Sequence, residues 1–163
     1  MFAKILVPCD GSALGNISAL RGIEFAAKIG AEVVGINVTR EFQAGYVKAD
    51  AAKAEYEAAA KEASNKVLQP LKDAAAKAGV KFTGIQRTAN HTALAIVKAG
   101  SDSACDLIFI GSHGCAGWDH VLMGSVSNKV LSTATIPVLV YRLKEAEVPE
   151  GVSHSYESSF PPA

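Results

Sequence analysis

Short apolar segments typical of β-strands alternate with segments of helical periodicity through the first 141 residues, and this alternation restricts the fold more than any other feature. The strand-like segments are apolar at consecutive positions, as expected for strands buried on both faces of a parallel sheet. Right-handed crossover helices join such strands and cover both faces of the sheet. The sequence therefore predicts an α/β fold with an open parallel sheet. The predicted strands lie at 3–7, 32–39, 80–87, 106–110 and 136–141.

Four predicted helices connect these strands, and several of their ends carry termination or capping residues. Gly30 and Gly79 follow the first two helices at the position where a residue of left-handed conformation commonly ends a helix. Asn90 is expected to cap the third helix, and Pro70 is expected to kink the second. The predicted helices lie at 13–29, 50–78, 92–99 and 124–133.

The composition is that of one folded domain without a charge bias. Of the 163 residues, 49% are hydrophobic and 20% are charged, which excludes long-range disorder. Sixteen basic and sixteen acidic residues balance, so neither nucleic acid nor a membrane surface is an expected partner. No apolar run reaches the roughly 18 residues that a membrane span needs. The chain becomes polar after Lys144, which predicts a domain over 1–144 and a polar tail over 145–163.

The N-terminal segment and the cysteines favour a cytoplasmic, reduced protein. Residues 2–8 are too short for a secretory hydrophobic region and continue directly into Asp10. The three cysteines match no metal or redox motif. Cys105 and Cys115 flank a strand about 16 Å long, whereas a disulfide needs Cα atoms within about 7 Å. Cys9 and Cys115 follow strands at the same edge of the sheet. A redox switch formed by these two thiols is therefore an alternative to two thiols without a function.

A polar turn follows the first predicted strand, at the edge of the sheet where ligands bind in open α/β folds. It comprises residues 8–12 and contains Asp10. A carboxylate at this edge can accept hydrogen bonds from the hydroxyls of a sugar, as acidic residues do in dinucleotide-binding folds.

A glycine-rich segment follows the fourth strand at the same edge. Gly124 and Ser125 open a helix whose first amides lack intrahelical partners, and these amides together with the helix dipole can hold a phosphate. Gly111 and Gly114 can direct further amides to the same anion, and Ser127 adds a hydroxyl beside that of Ser125. A glycine loop alone is often only a tight connection, so the prediction of phosphate binding depends on both segments together.

These segments resemble the universal stress protein family. The resemblance is carried by Lys4-Ile5-Leu6-Val7-Pro8-Cys9-Asp10-Gly11-Ser12 and by the spacing Gly111-x2-Gly114-x9-Gly124-Ser125, and it extends over about 1–143. The glycine spacing is the signature of the branch of the family that binds ATP. The resemblance implies a Rossmann-like sheet of five parallel strands in the order 3-2-1-4-5, with ATP bound between the first and fourth strands.

The resemblance also implies binding roles for ten residues. Cys9 departs from the family, which usually has Val or Thr at this position, and it puts a thiol beside the expected nucleotide. The implied adenosine contacts are Pro8, Cys9, Asp10 and, at adenine, Val38, and the implied phosphate contacts are Gly111, Gly114, Gly124, Ser125, Val126 and Ser127.

The expected function is an ATP-binding regulator of the stress response with slow or no hydrolysis. The chain has no P-loop lysine motif and no nucleophile elbow, and no base–nucleophile pair lies near the glycine-rich segment, so no catalytic residue is predicted. His113 is interpreted as a residue that shapes this loop. An ATPase or nucleotidyl transferase of modest rate is the alternative, and a binding module with an unused nucleotide site is a third class.

Mg²⁺ is expected to accompany ATP. The phosphates and water would hold it, and no protein ligand for a metal is predicted.

The last predicted strand, at 136–141, is expected at an edge of the sheet and in a homodimer interface. Pro137 is tolerated near the start of an edge strand, and the apolar residues Val138 and Val140 sit beside no charge that would discourage strand pairing. A second copy related by a two-fold axis would cover this edge, and the resemblance implies the same, because universal stress proteins commonly dimerise through the fifth strand. The alternative cover is the tail over 145–163. No other protein partner is predicted.

Overall fold

Five parallel strands form one sheet in the order β3-β2-β1-β4-β5, which confirms the predicted fold class and strand order. This computed structural model describes residues 2–42, 49–113 and 123–151. Leu6 of β1 lies beside Val34 of β2 and Ile108 of β4. The strands are β1 Lys4–Pro8, β2 Glu32–Thr39, β3 Phe82–Thr88, β4 Leu107–Gly111 and β5 Val138–Tyr141.

Helices cover both faces of the sheet and divide the core in two. Ile5 and Val7 of β1 pack toward α1 and α2, whereas Leu6 packs toward α3 and α4. This separation follows from the alternation of side chains along a strand. Leu71 of α2 and Val130 of α4, each fully buried, anchor the helices on opposite faces. The helices are α1 Ala13–Ile29, α2 Ala49–Lys77, α3 Thr92–Asp102 and α4 Ser125–Thr133.

The predicted helix stops are confirmed, but one predicted cap is wrong. Gly30 and Gly79 have φ values of 72° and 67°, in the left-handed region that glycine enters without steric cost. The N-cap of α3 is His91, whose side chain makes no capping hydrogen bond. Asn90 instead donates from Nδ2 to Glu41 Oε2 at 2.7 Å. The asparagine therefore joins the ends of β2 and β3 instead of capping the helix.

The strand order places a cleft at the carboxyl ends of β1 and β4. These two strands are neighbours, but α1 leaves β1 toward one face of the sheet and α4 leaves β4 toward the other. Connections that diverge in this way open a crevice at the switch point, where ligands bind in open α/β sheets. The polar turn after β1 and the start of α4 both lie at this edge.

The chain beyond β5 packs back on α1. Leu143 is buried against Leu14, and the Glu147 carboxylate accepts from the hydroxyl of Tyr141 at 2.9 Å and pairs with Arg21 at 2.8 Å. A backbone hydrogen bond from Lys144, with smaller contributions from Tyr141 and Arg21, lowers the pKa of Glu147. The start of the predicted tail is therefore held against α1, and residues 152–163 lie outside the described part of the chain.

None of the helices in the described ranges has both the length and the apolar character needed to cross a lipid bilayer.

Candidate functional site

The turn after β1 is held in place by backbone and side-chain hydrogen bonds. Pro8 ends the strand, and the N–H of Cys9 donates to the carbonyl of Ile36 at 2.9 Å. The buried Asn37 side chain donates to the carbonyl of Cys9 at 2.8 Å. These bonds extend the pairing of β1 with β2 by one residue, so the following turn begins from a rigid position.

Asp10 projects at the carboxyl edge of the sheet and also organises the start of α1. Its Oδ1 accepts from the N–H and the hydroxyl of Ser12, at 3.0 and 2.7 Å. Ser12 in turn caps α1, because its Oγ accepts from the N–H of Gly15 at 3.0 Å. The carboxylate is therefore positioned by the same turn that starts the helix, and the residue is exposed at the cleft.

Cys9 directs its thiol into the core and not toward solvent. The residue is 4% exposed and belongs to the core cluster beneath α1. Its Sγ donates to Asn16 Oδ1 at 3.1 Å, and burial raises the pKa of the thiol to about 11. A neutral, buried thiol is a poor nucleophile, so this end of the proposed redox pair is inert. Cys115 lies outside the described residues.

We expect stability to fall in alkaline solution because of this thiol. The pKa of Cys9 is raised from 9.0 to about 11 in the folded protein, so the folded state keeps a proton that the unfolded chain releases. Its contribution to the free energy of unfolding is fully present below pH 9 and is lost as the pH rises toward 11. Urea unfolding at pH 8 and pH 10.5 measures this loss, which should be smaller in Cys9→Ala. Rapid labelling of the native Cys9 thiol at pH 8 would contradict the assignment.

The start of α4 presents backbone amides at the same edge of the sheet. The first intrahelical bond runs from the N–H of Asn128 to the carbonyl of Gly124. The amides of Ser125, Val126 and Ser127 precede it and therefore have no acceptor within the helix. The N-cap, Gly124, offers no side-chain acceptor to them.

Gly124 itself is fixed against the end of β4. Its N–H donates to the carbonyl of Ser112 at 2.8 Å. A Cβ at this position would lie 3.1 Å from that carbonyl oxygen, a tight contact. The absence of a side chain thus lets the helix begin directly beside the strand end.

Gly111 packs closely against α1, and its expected role in turning amides toward a phosphate stays a prediction. A Cβ on Gly111 would lie 2.5 Å from the Oγ and 2.7 Å from the Cβ of Ser18 on α1. The carbonyl of Gly111 accepts from the hydroxyl of Ser127 at 2.7 Å. Ser127 is 6% exposed, so its single hydroxyl proton joins α4 to β4 and is not directed at the cleft.

Ser112 and His113 form a buried polar pair that the sequence analysis missed. The Oγ of Ser112 lies 2.9 Å from Nδ1 of His113, and both residues are at most 6% exposed. The N–H of Ser112 also donates to the carbonyl of Tyr141 at 2.8 Å. These contacts agree with the interpretation of His113 as a residue that shapes the loop. In the sequence, the buried pair is indicated only by the succession of a serine and a histidine directly after a predicted strand.

The predicted site residues thus gather at one edge of the sheet in two groups. Val38 lies at the end of β2, half-buried against the core on the α3 side, and Gly114 lies outside the described residues. Nowhere in the described ranges do three His, Cys, Asp or Glu side chains cluster as metal ligands. The first group is Pro8, Cys9, Asp10 and Val38, and the second is Gly111, Gly124, Ser125, Val126 and Ser127.

Solved structures of other proteins share this fold. The protein MJ0577 of Methanocaldococcus jannaschii superposes with a TM-score of 0.73 at 26% identity, covering 89% of this chain and 99% of that one. A universal stress protein family member from Arabidopsis thaliana, solved with AMP bound, has a TM-score of 0.62 at 16% identity and covers 91% of this chain and 97% of its own.

Sequence comparison agrees with the structural similarity. A profile of the universal stress protein family matches residues 1–142. The universal stress protein YxiE of Bacillus subtilis is 30% identical over an alignment of 150 positions that covers 87% of this chain and 100% of that protein. The profile match over most of the folded chain, together with a relative that is aligned over its full length, shows that the chain belongs to the universal stress protein family.

Proposed function

We propose that this protein binds ATP at the carboxyl edge of β1 and β4 and acts as a nucleotide-dependent regulator with slow or no hydrolysis. The observation that carries the proposal is the start of α4, where three successive amides precede the first intrahelical hydrogen bond. Such amides form a phosphate site without any basic side chain. Asp10 lies at the same edge of the sheet.

The residues of the cleft fit the parts of an adenine nucleotide. The exposed carboxylate of Asp10 suits the hydroxyls of ribose, and the half-buried Val38 offers an apolar contact for adenine. The amides of Ser125 and Val126, both on exposed residues, suit the phosphates. The AMP-bound Arabidopsis structure supports the choice of nucleotide class, since it shares the fold. Mg²⁺ would be held by phosphates and water, and it would neutralise phosphate charge.

Slow hydrolysis agrees with the surroundings of His113. His113 is 6% exposed, and its Nδ1 lies 2.9 Å from the Oγ of Ser112, so the histidine is poorly placed to activate a water. Mass spectrometry of freshly purified, denatured protein distinguishes the function classes. Bound ATP supports the proposal, whereas ADP or AMP favours an enzyme of modest rate.

The free cysteines Cys9 and Cys105 support the expected cytoplasmic location.

We expect Ser125→Pro to weaken ATP binding while the fold is retained. Proline at the first helical position removes one amide donor from α4 and is well tolerated there. Gly124 has φ −55° and ψ 149°, a conformation suited to a residue before proline. Affinity is expected to fall from a micromolar Kd by about tenfold or more, equivalent to about 1.4 kcal/mol. Titration calorimetry measures the change.

The matched control is Ser125→Ala, which removes only the hydroxyl. It should bind ATP more tightly than Ser125→Pro. Equal affinity in the wild type and the proline variant would contradict a phosphate site at the start of α4.

Asp10→Asn is expected to weaken ATP and AMP to a similar extent. The amide keeps an oxygen that can accept from Ser12, so the turn is preserved while the negative charge that faces the ribose hydroxyls is removed. Charge-assisted hydrogen bonds are about twice as strong as neutral ones. Titration with both nucleotides measures the effect, and a loss confined to ATP would indicate a role in holding metal.

We also propose a homodimer that pairs β5 with β5 of a second copy. β5 lies at the edge of the sheet. The carbonyl of Pro137 accepts from the N–H of Ile108 in β4 at 2.9 Å, and that of Tyr141 accepts from Ser112, directly after β4, at 2.8 Å. Because backbone groups alternate along a strand, Val138 and Val140 direct their N–H and C=O groups away from β4. These groups are available to an antiparallel partner strand.

A further inference from the structure

A polar cavity lies beside β3, at the opposite edge of the sheet from the proposed dimer interface. It has a volume of about 440 Å³ and is bounded by α2 and β3. β3 is an edge strand, since among the described residues it pairs with β2 alone. We propose that β3 binds an acidic peptide in extended conformation, which adds to the sheet as a sixth strand and places side chains in the cavity. This proposal is independent of nucleotide binding.

The backbone of β3 directs hydrogen-bonding groups outward beside the cavity. The carbonyl of Lys81 accepts from β2, and the N–H of Ala89 donates to β2, each at 2.9 Å. The residues between them alternate, so Gly84 and Gln86 direct their N–H and C=O groups away from the sheet. In agreement, the side chain of Arg87 reaches the carbonyl of Gln86 at 3.5 Å. These groups form the ladder that a peptide strand requires.

Gly84 leaves the backbone of β3 uncovered beside the cavity, and the fold does not require a glycine at this position. A Cβ on Gly84 would lie 3.4 Å from Leu68 and 3.5 Å from Phe82, which are ordinary van der Waals contacts. Its φ is outside the left-handed region, where glycines 11, 30, 79 and 151 lie. Neither packing nor backbone conformation therefore demands glycine at this position. Its effect is to leave room for a side chain from a ligand.

The charge in the cavity lining selects an acidic ligand. Among the described residues that line the cavity, Lys72 carries a charge and none has a carboxylate. The nearby carboxylate of Asp73 is engaged by Gln69 at 2.7 Å. The groove on the other face of β3 differs, because its Lys98 is paired with Asp102 at 2.9 Å. An acidic side chain of the ligand, placed beside Lys72, would neutralise the charge of this lysine.

Selection from a random heptapeptide library displayed on phage tests the proposal. The full-length protein is the bait, and Gly84→Leu, which fills the cavity, is used for counter-selection. We expect enrichment of peptides that carry an acidic residue. A selected synthetic peptide should bind Gly84→Leu and Lys72→Gln about tenfold more weakly than wild type. Thr83→Leu, on the other face of β3, and Lys77→Gln, farther along α2, are the matched controls and should bind like wild type.

One further measurement tests the strand geometry independently of these substitutions. N-methylation of alternate peptide amides should abolish binding, which decides the strand geometry even if Gly84→Leu does not fold. The proposal is overturned if no peptide is enriched or if N-methylation has no effect. It is also overturned if free glutamate competes as well as the peptide, since this would indicate a site for small anions.

Discussion

Gly111→Ala is expected to destabilise the fold by about 1–3 kcal/mol, the usual cost of adding a methyl group to a filled space. The new Cβ would lie 2.5 Å from the Oγ of Ser18 and 3.2 Å from the carbonyl oxygen of His113. Ser18 is 2% exposed on α1 and cannot move without shifting the helix. Urea unfolding measures the change as a lower midpoint at an unchanged slope.

Two comparisons show whether Ser18 is the cause. In Gly111→Ala combined with Ser18→Gly, the colliding side chain is gone, so the two substitutions should couple favourably by at least about 1 kcal/mol in a double-mutant cycle. Gly84→Ala, with its nearest contact at 3.4 Å, should stay within about 1 kcal/mol of wild type. If Gly111→Ala were as stable as wild type but failed to bind ATP, the glycine would serve ligand approach instead of packing.

Val140→Pro is expected to convert a dimer into a folded monomer. The N–H of Val140 points away from β4, so proline removes a hydrogen bond to the partner strand and none within the sheet. Sedimentation should give twice the chain mass for wild type and the chain mass for the variant. Leu139→Pro is the contrasting variant, because it removes an N–H that faces β4. It should lower the free energy of unfolding by about 3 kcal/mol or more.

The dimer proposal fails on either of two results. A wild-type protein that sediments as a monomer at micromolar concentration contradicts it directly. A Val140→Pro variant that remains dimeric would place the interface elsewhere. Circular dichroism checks that Val140→Pro is folded. Its spectrum should match that of wild type, because proline is tolerated on the open side of an edge strand.

Local sequence patterns were sufficient for the order and type of the elements and for some of their ends. The predicted end of α3 was three residues too early, since the helix continues to Asp102, and β3 and β5 each begin two residues later than predicted. The predicted α1 and β2 match the structure residue for residue, and Gly30 and Gly79 end their helices as expected. Apolar periodicity reports which face of an element is buried, and glycine reports a left-handed backbone, so both properties are encoded locally. The prediction for Asn90 failed because Glu41, 49 residues away, competes for its side chain.

The order of the strands and the place of the candidate site came from the combination of the alternating pattern with the family resemblance. Parallel strands put Asp10 and Ser125 at one edge whatever their separation in sequence, because crossovers return each strand in the same direction. Periodicity alone did not distinguish the strand orders that such crossovers permit.

Only the tertiary structure decided what individual side chains in the site do. The resemblance implied that Cys9, Gly111 and Ser127 contact a nucleotide, which stays a prediction. The fold turns the thiol of Cys9 into the core, packs Gly111 on Ser18 and directs the hydroxyl of Ser127 to the carbonyl of Gly111. The physical reason is that composition and periodicity specify which backbone groups reach the edge of a sheet. The partner of a side chain depends on which residues, distant in sequence, pack within hydrogen-bonding or van der Waals distance of it.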